Sequence, residues 1–195
     1  MALLLYHGTT RWSGAPEIRP QRGADVEHGP GLYLTTSYQT ARRYGRSLVL
    51  VALRPDLHWL EEATLPLEVA LKAATELFGS RIGRKIGVDL TAYAKRVTFR
   101  LGGAKVDAAV LVNLAVNEGA ASGARGVALA RFLAAHDIDA SLARQSSHED
   151  WVIVFNPKVI ITVSPVGDRE LRTLGFDLPQ VAAQQRAPIA IPSKA

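Results

Sequence analysis

Apolar runs short enough to be strands stand only toward the two ends of this chain. Residues 2–6 (ALLLY) and 47–53 (SLVLVAL) lie near the N-terminus, and residues 151–155 (WVIVF) and 159–163 (VIITV) near the C-terminus. Each is apolar nearly throughout, as a buried strand requires, and each meets a stop: His7-Gly8, Arg54-Pro55, Asn156-Pro157 and Ser164-Pro165. Between about 64 and 136 the apolar spacing becomes helical. Leu67, Leu71 and Ala74 share one face of a segment over 64–80 started by Thr64 and Pro66; a shorter helix over 88–97 is the reading of the stretch after it. Val106, Ala109, Val110, Asn113 and Leu114 predict a helix over 104–117, and Val127, Leu129, Ala130 and Leu133 another over 123–136. A short helix capped by Thr36 or Ser37 runs to Tyr44 and stops at Gly45, and Ile138 to Leu142 reads as one more strand. Strands segregated from helices predict an α+β fold rather than a doubly wound sheet. The expected organisation is one domain over 1–180, with helices inserted at about 64–136, and a loose tail over 181–195.

The chain has 195 residues, 48% of them hydrophobic, enough for a core without covalent staples. It has no cysteine, so disulfides, iron–sulfur clusters and thiolate zinc sites are excluded. The net charge of +5 favours polyanionic partners, although no five basic residues are consecutive. MALLLYHGTT lacks the basic start of a signal peptide, and no stretch reaches membrane length without a charge or breaker; the expectation is a soluble cytoplasmic protein with no membrane partner. Neither the Gly-x-Gly-x-x-Gly nor the Gly-x4-Gly-Lys-Ser/Thr signature occurs.

Three places join a strand end or strand mouth to reactive or aromatic side chains. In Tyr6-His7-Gly8-Thr9-Thr10 a histidine ends an apolar strand, where it is either held rigidly for a ligand or is a satisfied strand-end side chain, and Gly8 admits close approach to the backbone. In Gly29-Pro30-Gly31-Leu32-Tyr33-Leu34-Thr35-Thr36 a tyrosine follows a glycine pair, and Tyr44 closes the next helix; two such rings either sandwich a flat ligand or belong to the core. In Ser146-Ser147-His148-Glu149-Asp150-Trp151 acids precede a very apolar strand, either facing a pocket or forming a solvated turn. Neighbouring residues on extended chain point apart, so His148-Glu149-Asp150 is a poor metal set and no metal is expected. The long loop over 11–30, rich in Gly, Pro and charge, has the character of a functional loop.

Together these places resemble the ADP-ribosyltransferase superfamily, in its diphtheria-toxin and poly(ADP-ribose) polymerase branch. His7-Gly8-Thr9 resembles the first motif, Gly31-Leu32-Tyr33-Leu34 the second, and the acid before Trp151-Val152-Ile153-Val154 the third. The interval from Tyr33 to Tyr44 is similar to that between the stacking tyrosines of the polymerases, and Tyr6-His7-Gly8-Thr9 resembles the start of the small bacterial rifamycin enzymes. Ala41 stands where the polymerases carry a serine that holds the nicotinamide amide, so that contact is either missing or supplied by another group such as Thr36 or Thr40. Aligning Trp151 with the polymerase aromatic selects Asp150 over Glu149 as the acid, and both stay open.

The resemblance implies a split antiparallel β-sandwich and NAD as co-substrate. It implies catalysis by His7, Tyr33 and Asp150 or Glu149. NAD would be held by His7, Gly8, Thr9, Tyr33 and Tyr44, with Arg22 or Arg19 at the pyrophosphate. The implied activity is mono-ADP-ribosyl transfer to a macromolecule, whether protein, DNA or RNA. By analogy with bacterial toxins, an antitoxin or immunity protein is a further partner. An NAD glycohydrolase and an RNA 2′-phosphotransferase are alternatives on the same fold, and a non-catalytic nucleic-acid-binding module is one of another class.

Overall fold

The computed structural model describes residues 2–187 except 11, 13, 15, 23–25, 102 and 103. In chain order the strands are β1 (Leu3–Thr9), β2 (Leu32–Thr35), β3 (Ser47–Leu53), β4 (Thr64–Pro66), β5 (Lys105–Asp107), β6 (Ala140–Arg144), β7 (Asp150–Val154) and β8 (Ile160–Pro165). The helices are α1 (Tyr38–Tyr44), α2 (Leu67–Leu101), α3 (Ala108–Asn117), α4 (Gly123–Ala135), α5 (Asp168–Leu174) and α6 (Val181–Arg186). Six strands form one antiparallel sheet in the order β6-β7-β2-β1-β3-β8, and β4 and β5 pair separately. The fold is therefore α+β with an antiparallel sheet and helices between its first and last strands.

Alternation along β1 sorts its side chains between two cores. Leu3 and Leu5 join Leu32, Leu34, Val152 and Val154 on one face, while Leu4 and Tyr6 join Ala41, Leu50 and Leu178 on the other. A third core forms where α2, α3 and α4 close over Ile153 and Phe155.

β1 meets β3 along seven residue pairs but meets β2 through one, Tyr6 opposite Thr35. Continuing that register would set His7, Gly8 and Thr9 opposite Leu34, Tyr33 and Leu32, yet there the strands part. On the other side of Tyr6, β2 has ended, and the Gln184 amide takes its place: Leu4 N donates to Gln184 Oε1 at 2.8 Å, and Gln184 Nε2 donates to Leu4 O at 3.0 Å. Buried backbone groups need such partners, which explains why Gln184 is 1% exposed.

Several elements differ from the sequence expectation. Residues 181–186, expected in a loose tail, form α6, whose Val181 and Gln184 are buried; residues 188–195 lie outside the described residues. α5 and α6 are seven and six residues long and bury at most two side chains each, too few for a periodic signal. Thr64–Pro66 and Lys105–Asp107, read as helix starts, are strands paired to each other. The buried face of α3 is Ala108, Leu111, Val112 and Ala115 rather than the set expected from Ala109, Val110 and Leu114. The helices read over 64–80 and 88–97 are two arms of one hairpin, α2, bent at Gly79 with φ 79°. A side chain at Gly83 would lie 2.4 Å from the Ala74 carbonyl, so the arms touch backbone to backbone, and only glycine is small enough there.

Replacing Gln184 by Ala should cost about 3 kcal/mol, because it leaves the Leu4 N–H and C=O buried without partners. Gln180→Ala, at the half-buried start of the same helix, should cost under about 0.5 kcal/mol. Urea midpoints of the two variants check this; equal midpoints would remove the role given to Gln184.

Candidate active site

The parting of β1 from β2 opens a cavity of about 470 Å³, in the range of small-molecule sites. β1 contributes His7, Gly8 and Thr9 to its wall, β2 Tyr33 and Thr35, α1 Thr40 and Tyr44, and β7 Trp151. Residues some 140 positions apart in the chain thus share one cleft.

His7 reaches across the gap. Its Nδ1 lies 2.8 Å from the Tyr33 carbonyl, and its ring stands edge-on to Trp12 at 5.8 Å. A carbonyl only accepts, so Nδ1 carries the proton. Burial pushes the imidazole below its ordinary pKa near 6.5, and the Tyr33 carbonyl offsets this in part. The neutral ring therefore presents Nε2 as an acceptor for a hydroxyl.

Tyr33 is fixed at its far end, its hydroxyl donating to Gly29 O at 2.7 Å and accepting from His28 N at 3.3 Å. Gly29, at φ 101°, makes the turn that returns this carbonyl. Trp151 is the element that sequence reading missed. Tyr33 and Tyr44 both stand edge-on to its indole, each at 6.1 Å, at 79° and 81°. The three rings make an aromatic corner, with Tyr44 60% exposed at its mouth. The signal lay in the two-residue alternation of the strand, which puts Trp151 on the same side as residue 149.

The two acids separate cleanly. Asp150 is fully buried and turned away from the cleft, Oδ2 accepting from Val181 N at 2.8 Å and Oδ1 lying 3.7 Å from Arg144 Nε. Its backbone is also engaged: Asp150 N donates to Thr36 Oγ1, and Thr36 N to Asp150 O. Its place is structural, joining β7 to α6. Glu149 Oε1 instead accepts from Thr35 Oγ1 at 2.8 Å and from Trp151 Nε1 at 2.7 Å. Thr35 and Trp151 are opposite partners in the β2–β7 ladder, and both line the cleft. The alignment on Trp151 favoured Asp150; neither acid lines the cleft, and Glu149 is joined to it through its bonds to Thr35 and Trp151.

The remaining candidates divide in the same way. Gly8 lines the cleft, but its missing side chain makes room for α1: a Cβ there would lie 1.7 Å from the Ala41 carbonyl. Thr40 lines the cleft, whereas Thr36 is fully buried with its hydroxyl bound to Asp150 N. Arg19 lines the cleft and pairs with Glu17 at 3.4 Å; Arg22 is exposed and does not line it. An exposed pair of this kind is weak enough for another anion to displace. Among the described residues no cluster of three or more His, Asp or Glu side chains could hold a metal ion, and no helix is long and apolar enough to cross a membrane.

Two outcomes follow from this geometry. Gly8→Ala should destabilise the protein by about 1–3 kcal/mol by lifting α1 from β1, seen as a lower melting temperature. In an NMR titration the His7 imidazole should remain neutral at pH 6.5 and charge only below it; a midpoint above 6.5 would contradict the burial argument.

No family model matches the chain, and no curated protein does. A solved structure described as the crystal structure of an anti-CRISPR protein is similar at 18% identity and a TM-score of 0.38, over 85% of this chain and 96% of that one. That likeness is too distant to carry a fold or an activity across.

Proposed function

We propose that this chain is an NAD-dependent mono-ADP-ribosyltransferase of the His–Tyr–acid kind, with Glu149 as the acid. One observation carries the reading: His7, Tyr33 and Tyr44 line a single cleft opened by the parting of β1 and β2, with Glu149 bonded to two groups of its wall. The parting is also what a split antiparallel β-sandwich would need, with β1, β3 and β8 on one side and β2, β7 and β6 on the other. The donor set fits the dinucleotide: aromatic faces for a flat ring, a neutral imidazole for a ribose hydroxyl, and Arg19 for a pyrophosphate.

The substrate supplies a glycosidic bond that breaks with positive charge developing on the ribose. Glu149, bonded to Thr35 and Trp151 of the wall, is the acid this reading assigns to meet that charge. Its carboxylate is oriented by Thr35 and Trp151 before any ligand arrives, so reaction needs no reorganisation there. A fixed carboxylate in a water-poor site contributes on the order of 3–4 kcal/mol to such a transition state. Tyr33, Tyr44 and Trp151 exclude water and hold the leaving ring. His7 Nε2 accepts from a ribose hydroxyl, so binding should weaken as pH falls through the lowered His7 pKa, when Nε2 becomes a donor. A macromolecular acceptor, protein or nucleic acid, completes the transfer; an antitoxin or immunity partner is an inference from toxin analogues alone.

Labelled NAD with a cell lysate tests the reading. Glu149→Gln should lower nicotinamide release by about 10²–10³-fold with little change in NAD affinity by calorimetry. Asp150→Asn should retain turnover but lower stability. Full turnover in Glu149→Gln with loss in Asp150→Asn would reverse the assignment, and label released only as free ADP-ribose would make the chain a glycohydrolase.

A further inference from the structure

The second arm of α2 presents mostly positive charge to solvent. Residues 80–97 carry five basic side chains (Arg81, Arg84, Lys85, Lys95 and Arg96) and one acidic, Asp89, a net +4 against +5 for the whole chain. All five basic residues are exposed. The opposite face of the arm is committed to the core through Ile86, Leu90 and Ala94. Lys85 is neutralised by Glu118 at 2.6 Å, but among the described residues no carboxylate pairs with Arg81, Arg84, Lys95 or Arg96. The first arm differs: its Lys72 pairs with Glu76.

We propose that this arm is a nucleic-acid docking face, with the strand backbone lying along it. Arg81 to Lys95 spans about 21 Å of helix, the rise of about six nucleotides of one strand. Arg81 and Arg84, one turn apart beside the bend at Gly79, border a shallow depression with Ser80, Lys85, Val88 and Asp89, and its three cations against one carboxylate favour a phosphate there. Arginine binds phosphate through two parallel hydrogen bonds, and three of the five cations are arginine. A lipid surface fits poorly, because among the described residues Val88 is the only large apolar side chain exposed along the arm. An acidic protein fits less well than a strand's regular phosphates, because the cations stand in two groups, 81–85 and 95–96, with Val88 the one exposed large apolar side chain described between them. The inference does not rest on the transferase reading, since a chain without catalytic activity would still bind. If both hold, the acceptor or its guide is a nucleic acid.

Fluorescence anisotropy of the full chain with labelled 20-nucleotide single-stranded RNA, single-stranded DNA and duplex DNA, between 50 and 200 mM salt, tests it. The R81Q/R84Q/K95Q/R96Q variant should bind on the order of a hundredfold more weakly at 100 mM salt, with a markedly shallower salt slope. The K158Q/R169Q variant, which removes exposed charge elsewhere, should bind within about threefold of wild type. Circular dichroism checks folding; the pairs R81Q/R84Q and K95Q/R96Q, tested separately, should each give a partial loss if the quadruple variant does not fold. Unchanged affinity and slope in these variants, or competition by poly-L-glutamate equal to that of nucleic acid at matched charge, would overturn the proposal. Binding that survives in Glu149→Gln while nicotinamide release is lost separates this surface from the cleft.

Discussion

The architecture of the cleft depends on a single residue pair. Tyr6 and Thr35 hold β1 to β2 where neighbouring strands in the same sheet use several pairs. A sheet opened at its centre exposes backbone that must be satisfied in some other way. On one side of Tyr6 the Gln184 amide does so, which draws α6 onto the strand; on the other the His7 ring bridges to the Tyr33 carbonyl. The two devices have different consequences. Gln184 seals its gap, whereas His7 spans its gap with one ring nitrogen and leaves the other facing the cavity.

The tight packing of α1 follows from the same strand. Gly8 lets Ala41 approach β1, and Gly45 lets the end of the helix approach Thr9 and Thr10. α1 is thereby set at a height that brings Tyr44 to the mouth and Thr40 to the wall. The register of β2 against β7 sets Thr35 beside Trp151, and the pair gives Glu149 its two donors. The cleft is pre-built by the backbone, and its polar groups are mostly engaged with one another, so little ordering entropy would remain to be lost when a ligand enters.

The helical segment plays a different part. α2 turns back at Gly79, packs arm against arm through Gly83, and covers the sheet with α3 and α4. Its inner surface supplies much of the largest core, while its outer surface collects basic residues. Core and charge are thus separated across one helix, with the proposed docking face on its solvated side.

Much of this was legible in the chain itself. The apolar runs and their breakers gave the strands β1, β3, β7 and β8 to within a few residues, because a buried strand needs continuous apolar sequence and a proline or glycine ends it. Ser37 and Gly45 bracketed α1 for similarly local reasons. His7, Tyr33 and Tyr44 stood out as candidates because strand ends and glycine turns are local features, but each could equally have been a core side chain, and their sharing one cleft is a tertiary fact. What local sequence could not carry was decided by pairing over distance. Glu149 and Asp150 are neighbours with nearly the same chemistry; only the register of β7 against β2, and the arrival of α6 from further along the chain, bonds one to two residues of the cleft wall and buries the other. Short helices such as α5 and α6 bury too little to leave a pattern, and a glycine that bends a helix back on itself looks in sequence like one a helix merely tolerates. Periodicity determines which residues form an element and which face is apolar; tertiary contact alone determines what that face meets.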